Sequence, residues 1–334
     1  MTDKQDKGAY LGNPNLKGAN VPVEFNEEQV AEYLRCSQDP VYFIKNYVKI
    51  VNLNDGLVPF ELYDFQEKFV NVIHANRFTI SKFPRQSGKS TTVIAYILHT
   101  VLFTPNQNVA VLANKLATAR ELLQRLKLAY EYLPKWIQQG VLSWNKGSIE
   151  LENGSKILAA ATSSSAVRGN SFNLILLDEF AYVPFNIADE FFSSVYPTIS
   201  SGKNTKVVIV STPKGMNMYY KLWTDSINKR NDYVPVEVFW DEVPGRDEAW
   251  KQQTIKNTSE EQFRTEFESF SPETEVFVSL TDENGIHKGG KDMAIGKLYE
   301  ELKHKGFEVL HIKEEDYKKN PEQIINRCTN FLNQ

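Results

Sequence analysis

Cysteine is scarce in this chain: Cys36 and Cys328 are the only two. A pair that far apart offers neither a disulfide framework nor zinc-site spacing, and it suits a reducing compartment. No apolar run approaches the roughly 20 residues of a membrane-spanning helix. The opening Met1-Thr-Asp-Lys-Gln-Asp-Lys7 lacks the apolar centre of a secretory signal. Internal repeats are missing too. So is any global basic field: the formal net charge is −4. Contact with nucleic acid must therefore come from a local patch, because a charge sum says nothing about one face. What is present is 334 residues with 41% hydrophobic content, the scale of one large α/β domain plus an appendage.

The stretch from Phe78 to Tyr96 organises the rest. Phe78–Phe83 reads as a short strand, and Val93, Ile94, Tyr96, Ile97 and Val101 recur at helical spacing. Between them lies Pro84-Arg85-Gln86-Ser87-Gly88-Lys89-Ser90-Thr91. Gly88-Lys89-Ser90 is the end of a phosphate-binding loop. Its backbone N–H groups, at a helix N-terminus, would wrap a polyphosphate. The Lys89 ammonium would reach the outer phosphates and the Ser90 hydroxyl a Mg²⁺ position. The standard pattern wants a glycine five residues before Gly88, where this chain has Phe83. A basic helix start with a serine cap is the plainer reading of the tripeptide alone.

Earlier in the chain, residues 1–25 form a Gly-, Asn- and Pro-bearing stretch expected to be a mobile tail. Asn26–Ser37 and a segment opened by Asp39-Pro40 read as helices, and Val48–Leu53 as a strand. Phe60-Glu-Leu-Tyr-Asp-Phe-Gln66 brings Tyr63 and Gln66 just before the first nucleotide-binding strand. A glutamine amide carries the donor and acceptor that match the N6/N7 edge of adenine. The same residues also read as a helix start with an aromatic core face. Further on, Asn108–Asn114 is a buried strand and Lys115–Tyr132 an amphipathic helix. Ser148–Leu158 is a hairpin turning at Asn153-Gly154.

Leu174-Ile-Leu-Leu177 is a buried strand ending in Asp178-Glu179. Open α/β sheets bind ligands at such carboxyl ends. Asp178 would hold Mg²⁺ through water and Glu179 would polarise the attacking water. Lys206–Gly215 is another buried strand, ending in Ser211 and Thr212, whose hydroxyls could sense a γ-phosphate or simply stabilise a turn. Tyr233–Trp240 adds a strand, and Ser259–Phe267 a helix with Ser259 and Gln262 in a capping pattern. These elements together predict a mostly parallel sheet with helices on both faces.

As a set the motifs resemble the ATPase region of the large terminase subunit of tailed phages, T-even type. The matching stretches run in family order. They are Asp39-Pro-Val-Tyr-Phe43, Phe60–Gln66, Arg85-Gln-Ser-Gly-Lys-Ser90, Trp144–Ser155, Ala166-Val-Arg-Gly-Asn-Ser171, Leu177-Asp-Glu179, Ser211-Thr-Pro213 and Gln262-Phe-Arg-Thr-Glu266. The family's phosphate loop lacks the first glycine and carries Arg-Gln, as here. The resemblance implies a RecA-like P-loop ATPase that uses ATP and Mg²⁺ and drives double-stranded DNA into a prohead. It implies a homo-oligomeric ring on the portal protein, a small terminase subunit as partner, no membrane, and a location in the host cytoplasm. Carried onto this sequence, Tyr63, Gln66, Arg85, Gln86, Ser87, Gly88, Lys89, Ser90 and Thr91 bind ATP. Ser90 and Asp178 hold Mg²⁺, Glu179 is the catalytic carboxylate, Ser211 and Thr212 couple hydrolysis to motion, and Arg85 is the cis arginine. Arg168 is a candidate trans arginine.

The resemblance covers residues 26–270 or so, with 26–57 as an N-terminal subdomain. Residues 272–334 do not match the family's RNase H-like nuclease. They read as a loop over Ser279–Gly290, a helix from Met293 to His304, a strand over Phe307–Ile312 and a helix after Asn320-Pro321. This short α/β appendage loosely resembles the end of a very-short-patch-repair-type endonuclease, without a metal set. No complete nuclease is expected in it. Two other functions stay in view: a superfamily-2-like translocase, which needs a second RecA-like domain, and a non-catalytic fragment acting as a scaffold.

Overall fold

The computed structural model describes residues 8–52, 55–163, 171–201, 205–215, 217–268, 275–281 and 287–294. The chain divides into two compact units, Met1–Phe267 and Glu268–Gln334.

In the first unit, α1 (Glu27–Gln38) starts at an Asn26–Gln29 capping box, and α2 (Pro40–Tyr47) starts at Asp39 with proline in the first turn. A small antiparallel ribbon follows, β1 (Lys49–Asn52) with β2 (Gly56–Pro59). Then come α3 (Asp64–Ala75), β3 (Phe78–Lys82), α4 (Lys89–Phe103), β4 (Asn108–Ala113) and α5 (Leu116–Glu131). β5 (Val141–Trp144), β6 (Ser148–Leu151) and β7 (Lys156–Ala161) are next, and Gly154 takes the positive φ of 83° that the turn between β6 and β7 requires. The unit continues with β8 (Leu174–Asp178), α6 (Phe185–Ser201), β9 (Lys206–Ser211), α7 (Met218–Ile227) and β10 (Val234–Glu237). It closes with α8 (Glu248–Asn257), α9 (Glu260–Phe263) and a π-helical turn over Arg264–Glu268.

Eight strands form one sheet in the order β10-β3-β9-β8-β4-β7-β6-β5. From β10 to β7 every neighbouring pair is parallel, and only the two pairings at one edge, β7 with β6 and β6 with β5, are antiparallel. The sheet is buried on both faces, and the two-residue period of a strand divides its side chains between two cores. Val109, Val111, Leu174, Leu176, Val208 and Val210 join the core built with α1–α5. Ala110, Leu112, Ile175, Leu177, Val207 and Ile209 join the core built with α6 and α7. Residues 108–113 and 174–178 thus read as near-continuous apolar runs because both of their faces are covered.

Two expectations are revised. The stretch before α1 is not a bare tail from residue 8 onward. Leu16 is buried, and Lys17 pairs with Glu152 at 2.9 Å while its N–H donates to Gln138. A Gly- and Asn-rich composition hides such docking, because the anchoring partners lie more than 120 residues away. In the second unit, β11 (Glu275–Thr281) and β12 (His287–Ala294) pair antiparallel where a loop over 279–290 and a helix starting at Met293 were expected. Val276, Val278 and Thr281 favour a strand; the paired glycines 289 and 290 masked that signal. The expected elements beyond residue 294 lie outside the described residues. Among the described residues no helix is long and apolar enough to cross a membrane.

One buried histidine gives the fold a pH dependence. His99 on α4 sits in the aromatic layer beside Phe43 and Phe103, and its Nε2 lies 2.9 Å from the Cys36 carbonyl. A carbonyl only accepts, so Nε2 carries a proton in either charge state of the ring. Burial pushes its pKa down to about 4. Because the folded value lies below the unfolded one, the unfolded chain takes up the proton first. Stability is therefore intact above about pH 6.5 and falls as pH drops toward 4. Between pH 7 and pH 5 this one group removes about 2 kcal/mol. Urea unfolding of His99→Gln at both pH values should show a pH-dependent loss smaller than wild type by about that amount; equal losses would exclude His99 as the titrating group.

Candidate nucleotide site

The phosphate loop connects β3 to α4. Phe83, at the position of the missing glycine, is buried against Phe65 and Phe69, with ring centroids 5.9 and 4.9 Å away. The loop is thus rooted in an aromatic cluster instead of a glycine turn. Its tip reverses twice, with Gln86 at φ 57° and Gly88 at φ 76°. Ser87 Oγ donates to the Pro84 carbonyl at 2.8 Å and Thr92 Oγ1 to that of Gly88 at 3.1 Å. Beneath the loop, the buried Gln66 accepts the Tyr63 N–H and donates to the Ser87 carbonyl, both at 3.0 Å. Gln66 therefore braces the loop. Tyr63 is partly exposed at the start of α3.

Lys89 opens α4 with its side chain buried. Its Nζ lies 3.0 Å from Glu179 Oε1 and donates to Thr212 Oγ1 at 3.2 Å. Ser90 Oγ donates to Asp178 Oδ1 at 2.5 Å. The Thr212 N–H points at the other Glu179 oxygen, 3.4 Å away. The Ser211 hydroxyl accepts from the Ala181 N–H at 3.0 Å and donates to the Thr212 carbonyl at 2.9 Å. The ends of β3, β8 and β9, three neighbouring strands, thus bring Lys89, Ser90, Asp178, Glu179, Ser211 and Thr212 together. Arg168 lies outside the described residues.

Two features mark this cluster as more than an ion-pair network. Glu179 sits at φ 50°, ψ 44°, a left-handed conformation that costs a residue with a side chain of order 1 kcal/mol or more. It breaks β8 sharply and turns the carboxylate toward Lys89. Asp178 is almost fully buried, and burial pushes its pKa up to about 6. The Glu179 charge acts in the same direction, opposed by the Ser90 hydrogen bond and the charges of Lys89 and Arg125. A buried carboxylate next to a hydroxyl is a hard oxygen pair, and a divalent cation would favour its ionised form. Among the described residues, no group of three or more His, Cys, Asp or Glu is placed to hold a metal alone.

Beside the loop opens a cavity of about 700 Å³. Residues 85–91 and Glu179 line it on one side. Val48, Ile50 and Val51, Ile94 and Ala95 of α4, and Leu128 and Ala129 of α5 give it apolar walls. Arg125 lines it too and donates to Thr91 Oγ1 at 3.0 Å. Sequence reasoning missed the β1 and α5 contributions, because they read as ordinary amphipathic faces. It also missed Arg246, whose Nη2 donates to the carbonyls of Arg85 at 2.8 Å and Gln86 at 3.1 Å. Arg246 lies just before the Asp247 cap of α8, and its guanidinium sits over Trp250 at 4.9 Å. Arg85 is held by Glu266, side chain to side chain at 2.8 Å and backbone to backbone at 3.0 Å.

The sequence profile described as "Terminase large subunit, T4likevirus-type, N-terminal" matches residues 80–270, more than half of the chain. The chain belongs to the T4-type large terminase family. Solved terminases share the fold. The large terminase of bacteriophage HK97 superposes with a TM-score of 0.58 at 16% identity, over 69% of this chain and 54% of that one. The ATPase domain of the large terminase of Thermus phage P74-26 gives 0.51 at 20% identity, over 63% of this chain and 93% of that one. The ADP complex of the large terminase of the thermophilic bacteriophage D6E gives 0.50 at 13% identity, over 62% and 52%. This terminase chain therefore spans about half the length of the HK97 and D6E chains it matches.

Proposed function

We propose that this chain is the ATP-hydrolysing part of a motor that drives double-stranded viral DNA into a preformed prohead. The observation that carries the reading is the meeting of Lys89 and Ser90, after β3, with Asp178 and Glu179, at the end of β8, at the carboxyl edge of the parallel sheet with β9 between the two strands. Family membership adds the packaging context.

The chemistry is ATP plus water giving ADP and phosphate. The loop N–H groups and Lys89 hold the outer phosphates. Ser90, and Asp178 through water, would hold Mg²⁺, which spreads phosphate charge when bound. As the γ-phosphate takes the Lys89 ammonium, Glu179 Oε1 loses its ion-pair partner and becomes free to orient a water. The water oxygen bonds to the γ-phosphorus while the bond to the ADP oxygen breaks, and the water's proton passes toward the Glu179 carboxylate. Arg85 leaves Glu266 to offset charge on the transferred group. Thr212 touches both Lys89 and Glu179, so it is well placed to report loss of the γ-phosphate. Arg168 supplies a trans arginine across a homo-oligomeric ring seated on the portal protein. A small terminase subunit presents the DNA, in the host cytoplasm.

The test combines the chain with empty proheads, small terminase and linear duplex DNA. ATP-dependent protection of the DNA from nuclease is the expected result, abolished by ADP alone. ATP hydrolysis stimulated by single-stranded nucleic acid, with no protected DNA, would instead favour a translocase of the helicase type.

A further inference from the structure

Phosphate loops bind through N–H groups turned inward, which sends neighbouring carbonyls outward. Here the two outward carbonyls, of Arg85 and Gln86, are both captured by Arg246 Nη2. The Arg85 N–H is taken by the Glu266 carbonyl, and its guanidinium by the Glu266 carboxylate. Four contacts thus bind the first half of the loop to a segment some 160 residues further along, starting at Arg246 and ending at Phe267. Aromatic rings pack that segment together. Trp240 stacks on Trp250 with centroids 6.1 Å apart, and Trp250 packs edge-on against Phe263 and Phe267 at 5.9 and 5.1 Å. The Arg246 guanidinium lies over both Trp250 and Phe267. Arg246 Nη1 and Glu266 Oε2 are buried without a hydrogen-bond partner. Orphaned polar groups of this kind are costly.

We propose that Arg246 and Glu266 are positioning residues that clip the phosphate loop to the segment 246–267, so that nucleotide in the loop is felt at the last residues of the first unit. This rests on the nucleotide-binding reading above. The physical argument is geometric. Gln86 is held at a positive φ, and its carbonyl direction fixes the orientation of the next N–H. Any nucleotide that draws the loop inward, or draws Arg85 off Glu266, must pull on the guanidinium or release it. A lysine at 246 could keep the charge, but an ammonium on a flexible stem lacks the planar guanidinium that lies over Trp250 and Phe267 while its Nη2 meets both carbonyls.

Hydrogen exchange of the full chain with and without ADP and Mg²⁺ tests this, for wild type, Arg246→Lys and Glu266→Gln. Wild type should gain protection both in the loop (84–91) and in 248–267, although no residue of the latter lines the cavity. In Arg246→Lys the loop should still be protected at saturating ADP while 248–267 is not, and ADP affinity should fall about tenfold or more, the scale of one charge-assisted hydrogen bond. Glu266→Gln should lose part of the distal protection and keep its thermal midpoint near wild type. Unchanged exchange at 248–267 in wild type, or full distal protection in Arg246→Lys, would overturn the clip. A wild-type loop that ADP does not protect would instead count against nucleotide binding itself.

Discussion

Glu179→Gln should lower the ATP turnover number by a factor of order 10³ while leaving nucleotide bound at least as tightly as in wild type. The amide has the shape of the carboxylate but accepts no proton, so the water loses its base. Affinity does not suffer, because in the free enzyme Glu179 competes with phosphate for Lys89, 3.0 Å away. Removing that charge frees the ammonium for the γ-phosphate. Titration with a fluorescent ATP analogue and phosphate-release kinetics separate the two effects. Glu179→Asp is the stringent control. It keeps the charge, shortens the reach by one methylene, and should also lose most turnover, since the left-handed backbone at this residue sets where the carboxylate points. A variant that lost affinity and turnover equally would assign Glu179 a binding role.

Gly88→Ala should abolish measurable nucleotide binding and destabilise the domain by about 1–3 kcal/mol. Two separate costs act at this position. The backbone φ of 76° is a conformation that a residue with a Cβ adopts only under strain. A Cβ there would also come within 2.4 Å of Gln66 Nε2, and Gln66 is buried with its carbonyl committed to the Tyr63 N–H. The amide must retreat and give up the Ser87 carbonyl. A double-mutant cycle separates the terms: Gly88→Ala combined with Gln66→Ala should recover part of the lost stability, because the clash is gone, and none of the binding, because the dihedral strain and misdirected N–H groups persist. Chemical denaturation and calorimetric titration with ADP give both quantities.

Much of this was legible in the residues. The strands 108–113, 174–178 and 206–211 announce themselves as short apolar runs because each is buried on both faces. Gly88-Lys89-Ser90 and Asp178-Glu179 announce the chemistry because only a few side chains can hold phosphate and a hard cation. Their meeting needed the topology: β9 lies between β3 and β8, which brings Thr212 to Lys89 and Glu179 together. The loop's support was less visible. Phe83 looked like a fault in the motif and is its aromatic root. Gln66 looked like a base reader and spends two of its bonds under the loop. Arg246 and Glu266 carry no local signature, since what matters is the distant backbone they hold. The N-terminal residues 8–20 were misread for the same reason: composition records what a segment lacks, and Leu16 and Lys17 find their partners elsewhere in the chain.

The most direct test of the central claim is phosphate release by the purified wild-type chain in Mg²⁺ and ATP, with DNA and proheads added in turn and EDTA as the blank. Turnover that requires Mg²⁺, rises when proheads and DNA are present, and disappears in Glu179→Gln is the predicted result. Tight nucleotide binding without turnover under all of these conditions would contradict it, and would make the chain a nucleotide-binding scaffold instead of a motor.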